Sequence, residues 1–203
     1  AVRAWAGPSR VASVVGQPGR MSDFARDNAW QLSVRDAVLA PFYRDNCEGG
    51  RYVFIDKSRC SCILQKRLAV DTVCQSKRGG SVCIEEKMTR FPRNGKPLPN
   101  FFLEVESCPV KDYETPGWMV YGQSDFLLYG FQTASEAMDF SAWLIPFQSL
   151  KKWFWPRAET FRRFELAYTS NHTAGRLVPI CEVARVFSLR PLRMRADGMK
   201  AAA

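Results

Sequence analysis

Histidine is nearly absent from this sequence: His172 is the single one among 203 residues. One imidazole cannot build a histidine-rich metal cluster, and in the turn-like stretch 168–175 it reads as polar surface. The Cys-x-x-Cys motif is missing too. The seven cysteines (Cys47, Cys60, Cys62, Cys74, Cys83, Cys108 and Cys181) are an odd number, and Cys60-x-Cys62 is too little for zinc. Buried, reduced thiols in a cytoplasmic protein are therefore expected. No apolar run reaches the roughly 18 to 20 residues that a membrane span requires. Acidic residues are also scarce relative to basic ones, 20 against 29, for a net charge of +9. A balance of that size favours a polyanionic partner.

Apolar residues make up 46% of the chain, which suits a globular protein, and the length suits one domain. Residues 1–20 lack the apolar stretch of a secretory signal and read as an appended, vector-derived extension before Met21. Residues 21–187 read as a single α/β domain, and 188–203 as a basic flexible tail.

Along the domain, apolar spacing predicts an amphipathic helix from Asp23 to about Tyr43, ending near Pro41. A turn at 47–50 and a short strand at 52–55 follow, then a second apolar run at 60–64. Residues 91–100 hold three prolines and two basic side chains and form an irregular loop, which either meets phosphate through Arg93 and Lys96 or is merely solvated. Residues 100–107 alternate like a strand, and 117–131 like two strands broken at 122–125. Thr133 and Glu136 have capping-box spacing, predicting a helix that stops before Pro146. A second helix at 149–155 carries Lys151, Lys152, Trp153 and Trp155, followed by Arg162, Arg163 and Phe164. Basic and aromatic residues so interleaved grip nucleic acid when exposed, although aromatics at helical spacing belong more often to a core. A last strand at 177–183 would place Pro179 best at an edge.

The stretch with the most chemistry is 68–90, LAVDTVCQSKRGGSVCIEEKMTR. Two runs rich in Val, Ile and Cys flank a Gly-rich turn, the pattern of a β-hairpin. A turn near Arg78 and Gly79 brings Asp71 to within about one residue of facing Glu85. Glu85 and Lys87, two apart, share one strand face, with Val82, Ile84 and Glu86 on the other. Two carboxylates interleaved with residues that expect cover call for a compensating charge, and a divalent metal is the usual one.

An acid followed by Glu-x-Lys on the next strand resembles the signature of the PD-(D/E)XK, or restriction-endonuclease-like, nucleases. Within it the chain resembles Holliday-junction-resolvase-type members of phages or mobile elements. Asp71 matches the first acid, Glu85 the second and Lys87 the lysine; Val70 stands where the family commonly has proline. The resemblance spans about 51–131. It implies a three-layer α/β sandwich around a central mixed sheet flanked by helices, and hydrolysis of DNA phosphodiester bonds, branched DNA included. Mg²⁺ or Mn²⁺ would be held by Asp71, Glu85 and the Glu86 carbonyl. A further acid from the preceding segment would be Asp56, with Glu48 and Asp36 as alternatives. Lys87 would assist the attacking water. Arg90, Arg93, Lys96, Lys151, Lys152, Arg162 and Arg163 would contact the nucleic acid, and a homodimer would cut both strands. The alternative is a non-catalytic nucleic-acid-binding or partner-binding protein of a phage or mobile element on the same fold.

Overall fold

The computed structural model describes residues 23–55, 63–76, 78–92, 94–108, 115–135, 137–167 and 172–196. The chain opens with α1 (Asp23–Val34), a five-residue π-helical turn (Arg35–Leu39) and α2 (Ala40–Asn46). The helix therefore runs through Pro41 instead of stopping there. In the widened turn the Ala40 N–H bonds the Arg35 carbonyl, five residues back. That spacing gives room to a proline ring that would crowd a carbonyl of a regular α-helix.

Six strands form a mixed sheet: β1 (Tyr52–Phe54), β2 (Thr72–Gln75), β3 (Ser81–Thr89), β6 (Phe126–Gln132), β7 (Asp139–Pro146) and β10 (Leu192–Arg195), adjacent in that order. β3 and β6 run parallel, and the other neighbours are antiparallel. A second, antiparallel sheet has the order β5 (Thr115–Pro116), β4 (Asn100–Cys108), β9 (His172–Pro179), β8 (Arg162–Ala167). The remaining helices are α3 (Ile63–Leu68), α4 (Trp118–Tyr121), α5 (Phe147–Phe154) and α6 (Ile180–Val186).

The core lies on both faces of the six-stranded sheet. On one face Ile84, Met88, Leu128, Phe140, Ala142 and Met194 pack under Val34, Val38, Leu39, Phe42 and Tyr43 of the helical layer. On the other face Leu127, Tyr129 and Ile145 meet Phe101, Leu103 and Val178 of the second sheet, with Trp118, Phe147, Leu150 and Phe154 beside them. The mixed α/β architecture agrees with the sequence, but only one face is covered by helices without a second sheet. A β-sheet supplies most of the opposite layer.

Several elements depart from the sequence reading. Thr133 does not cap a helix: its N–H and its hydroxyl both donate to the Asp139 carbonyl, at 2.8 and 3.1 Å, closing the turn between β6 and β7. Glu136 lies outside the described residues. The apolar run after it is a strand, since Phe140 and Ala142 are buried while their neighbours are half-covered. A short apolar run carries little to separate the two periods. The tail read as flexible contributes β10, whose Leu192 and Met194 alternate with arginines, Met194 being buried against β7. Residues 117–121 give a helical turn rather than a strand, and 63–64 belong to α3, with 56–62 outside the described residues. The final strand ends at Pro179, where α6 begins, and β9 is internal to its sheet. His172 belongs to β9.

Among the described residues, no helix is long and apolar enough to cross a membrane.

Candidate functional site

The β2–β3 hairpin closes where the sequence places it. Ser76 N–H bonds the Gly80 carbonyl and Gly79 N–H bonds the Ser76 carbonyl, both at 3.0 Å. Gly79 and Gly80 take φ of 82° and 81°, a region that glycine enters without strain. The turn fixes Thr72 opposite Ile84, and one residue further along Asp71 N–H bonds the Ile84 carbonyl at 2.9 Å. Asp71 thus stands just before β2, within about one residue of Glu85 across the hairpin. Both are buried, with only 2% and 3% of their surface exposed.

Asp71 Oδ2 accepts the Glu86 N–H at 2.9 Å, which ties the carboxylate to β3. Lys87, partly exposed, forms an ion pair with Glu85. Its ammonium lies 5.2 Å from the centre of the Trp118 ring. Burial alone would depress the Lys87 pKa, but the charges of Glu85 and Asp71 outweigh it and the lysine is held well above its usual range. The neighbouring carboxylates thus favour the charged form of Lys87.

The second sheet and α4 form the other wall. Glu104 of β4 sits near Lys87. Burial raises its pKa, and Lys87, the Ser107 side chain and the Trp118 backbone partly offset that. β4 breaks register between Glu104 and Glu106, a bulge of the kind that re-aims side chains near functional sites. Glu106 instead meets Arg163 through both carboxylate oxygens, at 3.0 and 2.8 Å. The Tyr121 hydroxyl also belongs here; burial raises its pKa first and Glu85 second.

Glu86 points the opposite way, into the helical layer. Its Oε1 accepts the Tyr43 hydroxyl at 2.7 Å and the Thr72 hydroxyl at 2.6 Å. Burial, then repulsion from Asp71, raises the Glu86 pKa, and burial raises that of Tyr43, so Tyr43 stays a donor. A carboxyl with a raised folded-state pKa stabilises the fold below its unfolded pKa and loses that contribution as pH rises through the folded one. Glu86→Gln, which still accepts both hydroxyls, should therefore gain melting temperature over wild type progressively as pH rises above the ordinary carboxylate range. Thermal denaturation without divalent metal checks this, and a gap independent of pH would refute it.

Two of the acids considered as further ligands, Asp36 and Glu48, do not belong to the site. Asp36 is exposed on the helical layer and Glu48 lies in the turn after α2; Asp56 lies outside the described residues. Asp125, read as a turn residue, accepts the Cys83 N–H at 2.8 Å and heads β6. Among the described residues no group of three or more His, Cys, Asp and Glu side chains is arranged to hold a metal. The oxygen donors around Lys87 are the carboxylates of Asp71 and Glu85, with that of Glu104 on the other wall. Hard oxygen donors with excess negative charge fit Mg²⁺ or Mn²⁺ rather than a softer ion.

Several of the basic residues expected to meet nucleic acid are engaged within the protein. Arg90 pairs with Asp27 at 2.9 Å and its guanidinium lies 4.8 Å from the Trp30 ring centre. Lys151 donates to the Val120 and Gly122 carbonyls at 3.0 and 2.8 Å, closing the end of α4. Arg163 is engaged by Glu106 and Glu165. Lys96, Lys152 and Arg162 are exposed, and Arg93 lies outside the described residues. Trp153 packs on Phe161 and Phe187, while Trp155 is 41% exposed.

Sequence reasoning missed Tyr43, Thr72, Trp118 and Tyr121. Only the distance of Tyr43 and Tyr121 from the hairpin hid them, since buried tyrosines need a polar partner. Comparisons with protein-family models, with curated proteins and with solved structures return no match to the chain.

Proposed function

We propose that the protein is a metal-dependent nuclease that hydrolyses DNA phosphodiester bonds on a restriction-endonuclease-like fold, in the manner of the resolvase-type enzymes of phages and mobile elements. The observation that carries this reading is the buried pair Asp71, at the entry to β2, and Glu85, on the adjacent β3, with Lys87 against Glu85. The order of elements supports it: a helix first, then an antiparallel β1–β2–β3 sheet with the acid entering β2 and Glu-x-Lys on β3.

Asp71, Glu85 and the Glu86 carbonyl would hold Mg²⁺ or Mn²⁺. A bound divalent ion supplies a water of lowered pKa and positive charge for the scissile phosphate. The protein's own contribution is to keep Asp71 and Glu85 oriented, Asp71 through the Glu86 N–H. Lys87, held cationic, is not a general base. It donates a hydrogen bond and charge, orienting the attacking water or meeting the negative charge that grows on phosphorus-bound oxygen.

The excess of positive charge makes phosphate the dominant source of affinity. Binding to a DNA duplex should fall by orders of magnitude between about 50 and 200 mM salt. Reversing the exposed Arg162 or Lys152 to glutamate should weaken binding to unrelated sequences alike. Fluorescence anisotropy at several salt concentrations measures this; affinity unchanged by salt would count against a phosphate-led interface. Cleavage of linear, branched and single-stranded DNA with Mg²⁺ or Mn²⁺ tests the activity itself and identifies the substrate.

A further inference from the structure

Ala69 is one of two non-glycine residues with positive φ among those described, at φ 50°, and it is 2% exposed. An L-residue enters the left-handed region against the crowding of its Cβ, and stays only where surrounding contacts hold it. Here the contacts come from the loop between α4 and β6. The Ser124 hydroxyl donates to the Ala69 carbonyl, and the Gln123 N–H bonds the Leu68 carbonyl at 2.7 Å. Ser124 is itself fully buried, and its own carbonyl accepts Gln148 Nε2 at 3.1 Å from α5. Val70 N–H returns to the Leu64 carbonyl at 3.1 Å. Every residue from Leu68 to Asp71 is thus bonded at the backbone, and the left-handed residue stands two positions before Asp71.

We propose that Ser124 is a positioning residue: by holding Ala69 in the left-handed conformation it sets where the Asp71 carboxylate stands relative to Glu85. The inference rests on the nuclease reading for the role of Asp71, but it makes a separate claim about how Asp71 is held. Without the hydroxyl, the Ala69 carbonyl loses its donor and the strained residue relaxes toward negative φ, swinging Asp71 away from Glu85. Glycine at position 69 removes the strain, because it takes positive φ readily, so it should compensate for the missing hydroxyl. Few purely structural defects would be cured in that way.

The test is calorimetric titration of Mn²⁺ into the wild type, Ser124→Ala, Ala69→Gly and the double variant, each first shown to be folded by circular dichroism. Ser124→Ala should bind Mn²⁺ about tenfold more weakly, the usual scale for losing a group that orients a ligand. Ala69→Gly should bind like wild type, and the double variant should recover to within about threefold of it. Ser124→Ala binding Mn²⁺ with wild-type affinity, or a double variant no better than Ser124→Ala, overturns the inference while leaving the nuclease reading in place. A wild type that binds no Mn²⁺ overturns both. Should Ser124→Ala fail to fold, Ser124→Cys, similar in size but a weak donor, takes its place with the same criteria.

Discussion

Lys87→Ala should cut DNA about 10²–10³-fold more slowly than wild type in single-turnover reactions, while binding metal as well as wild type or better. The two halves of this result follow from the same contact. The ammonium pairs with Glu85 and is held charged by Glu85 and Asp71, so it competes with any other cation for those carboxylates. Removing it relieves that competition. It also deletes a preorganised positive charge where negative charge develops, and such a loss acts on the transition state more than on binding. DNA affinity should drop only modestly, since one phosphate contact among many is lost. Lys87→Arg should rescue poorly: a planar fork cannot occupy the place of a compact ammonium beside the Trp118 ring. An alanine variant that cuts at the wild-type rate would remove Lys87 from the mechanism.

Asp71→Asn and Glu85→Gln should each abolish the rise in melting temperature that Mg²⁺ or Mn²⁺ gives the wild type. At a metal concentration 100-fold above Kd that rise corresponds to about 2.7 kcal/mol. Asparagine is the sharper choice at 71, because its carbonyl can still accept the Glu86 N–H and the strand pairing survives. Without metal, Asp71→Asn should be as stable as wild type or more so, since the Asp71 charge repels the buried Glu86 carboxyl. Glu85→Gln lacks that advantage, for it leaves Lys87 without its paired charge. Differential scanning fluorimetry with and without metal checks both variants. A full metal-induced shift in either one would place the site elsewhere.

The hairpin was legible because two independent signals agree on it. Alternation fixes which residues share a face, and Gly79-Gly80 fixes the register. Together they bring Asp71 to within about one residue of Glu85 from the order of residues alone. What covers each face was not legible. Glu86 gives no sign in sequence that it will meet Tyr43 and Thr72, because those contacts span 43 and 14 residues. The second sheet was hidden for a similar reason: β4 reads as a strand, but nothing local says that it pairs with β9 rather than with the hairpin. Thr133 misled because a threonine three residues before a glutamate has the same appearance in a helix cap and in a hairpin turn. The left-handed Ala69 was invisible, as alanine carries no mark of unusual φ.

The central claim is tested most directly by incubating an excess of wild-type protein with labelled linear, branched and single-stranded DNA in Mg²⁺ or Mn²⁺, beside Asp71→Asn and an EDTA control. The account predicts strand cleavage by the wild type on at least one of these substrates, abolished by EDTA and by Asp71→Asn, although that variant still binds the DNA. Wild-type protein that binds DNA and metal yet leaves every substrate intact would contradict it, and would favour a binding protein built on the same hairpin.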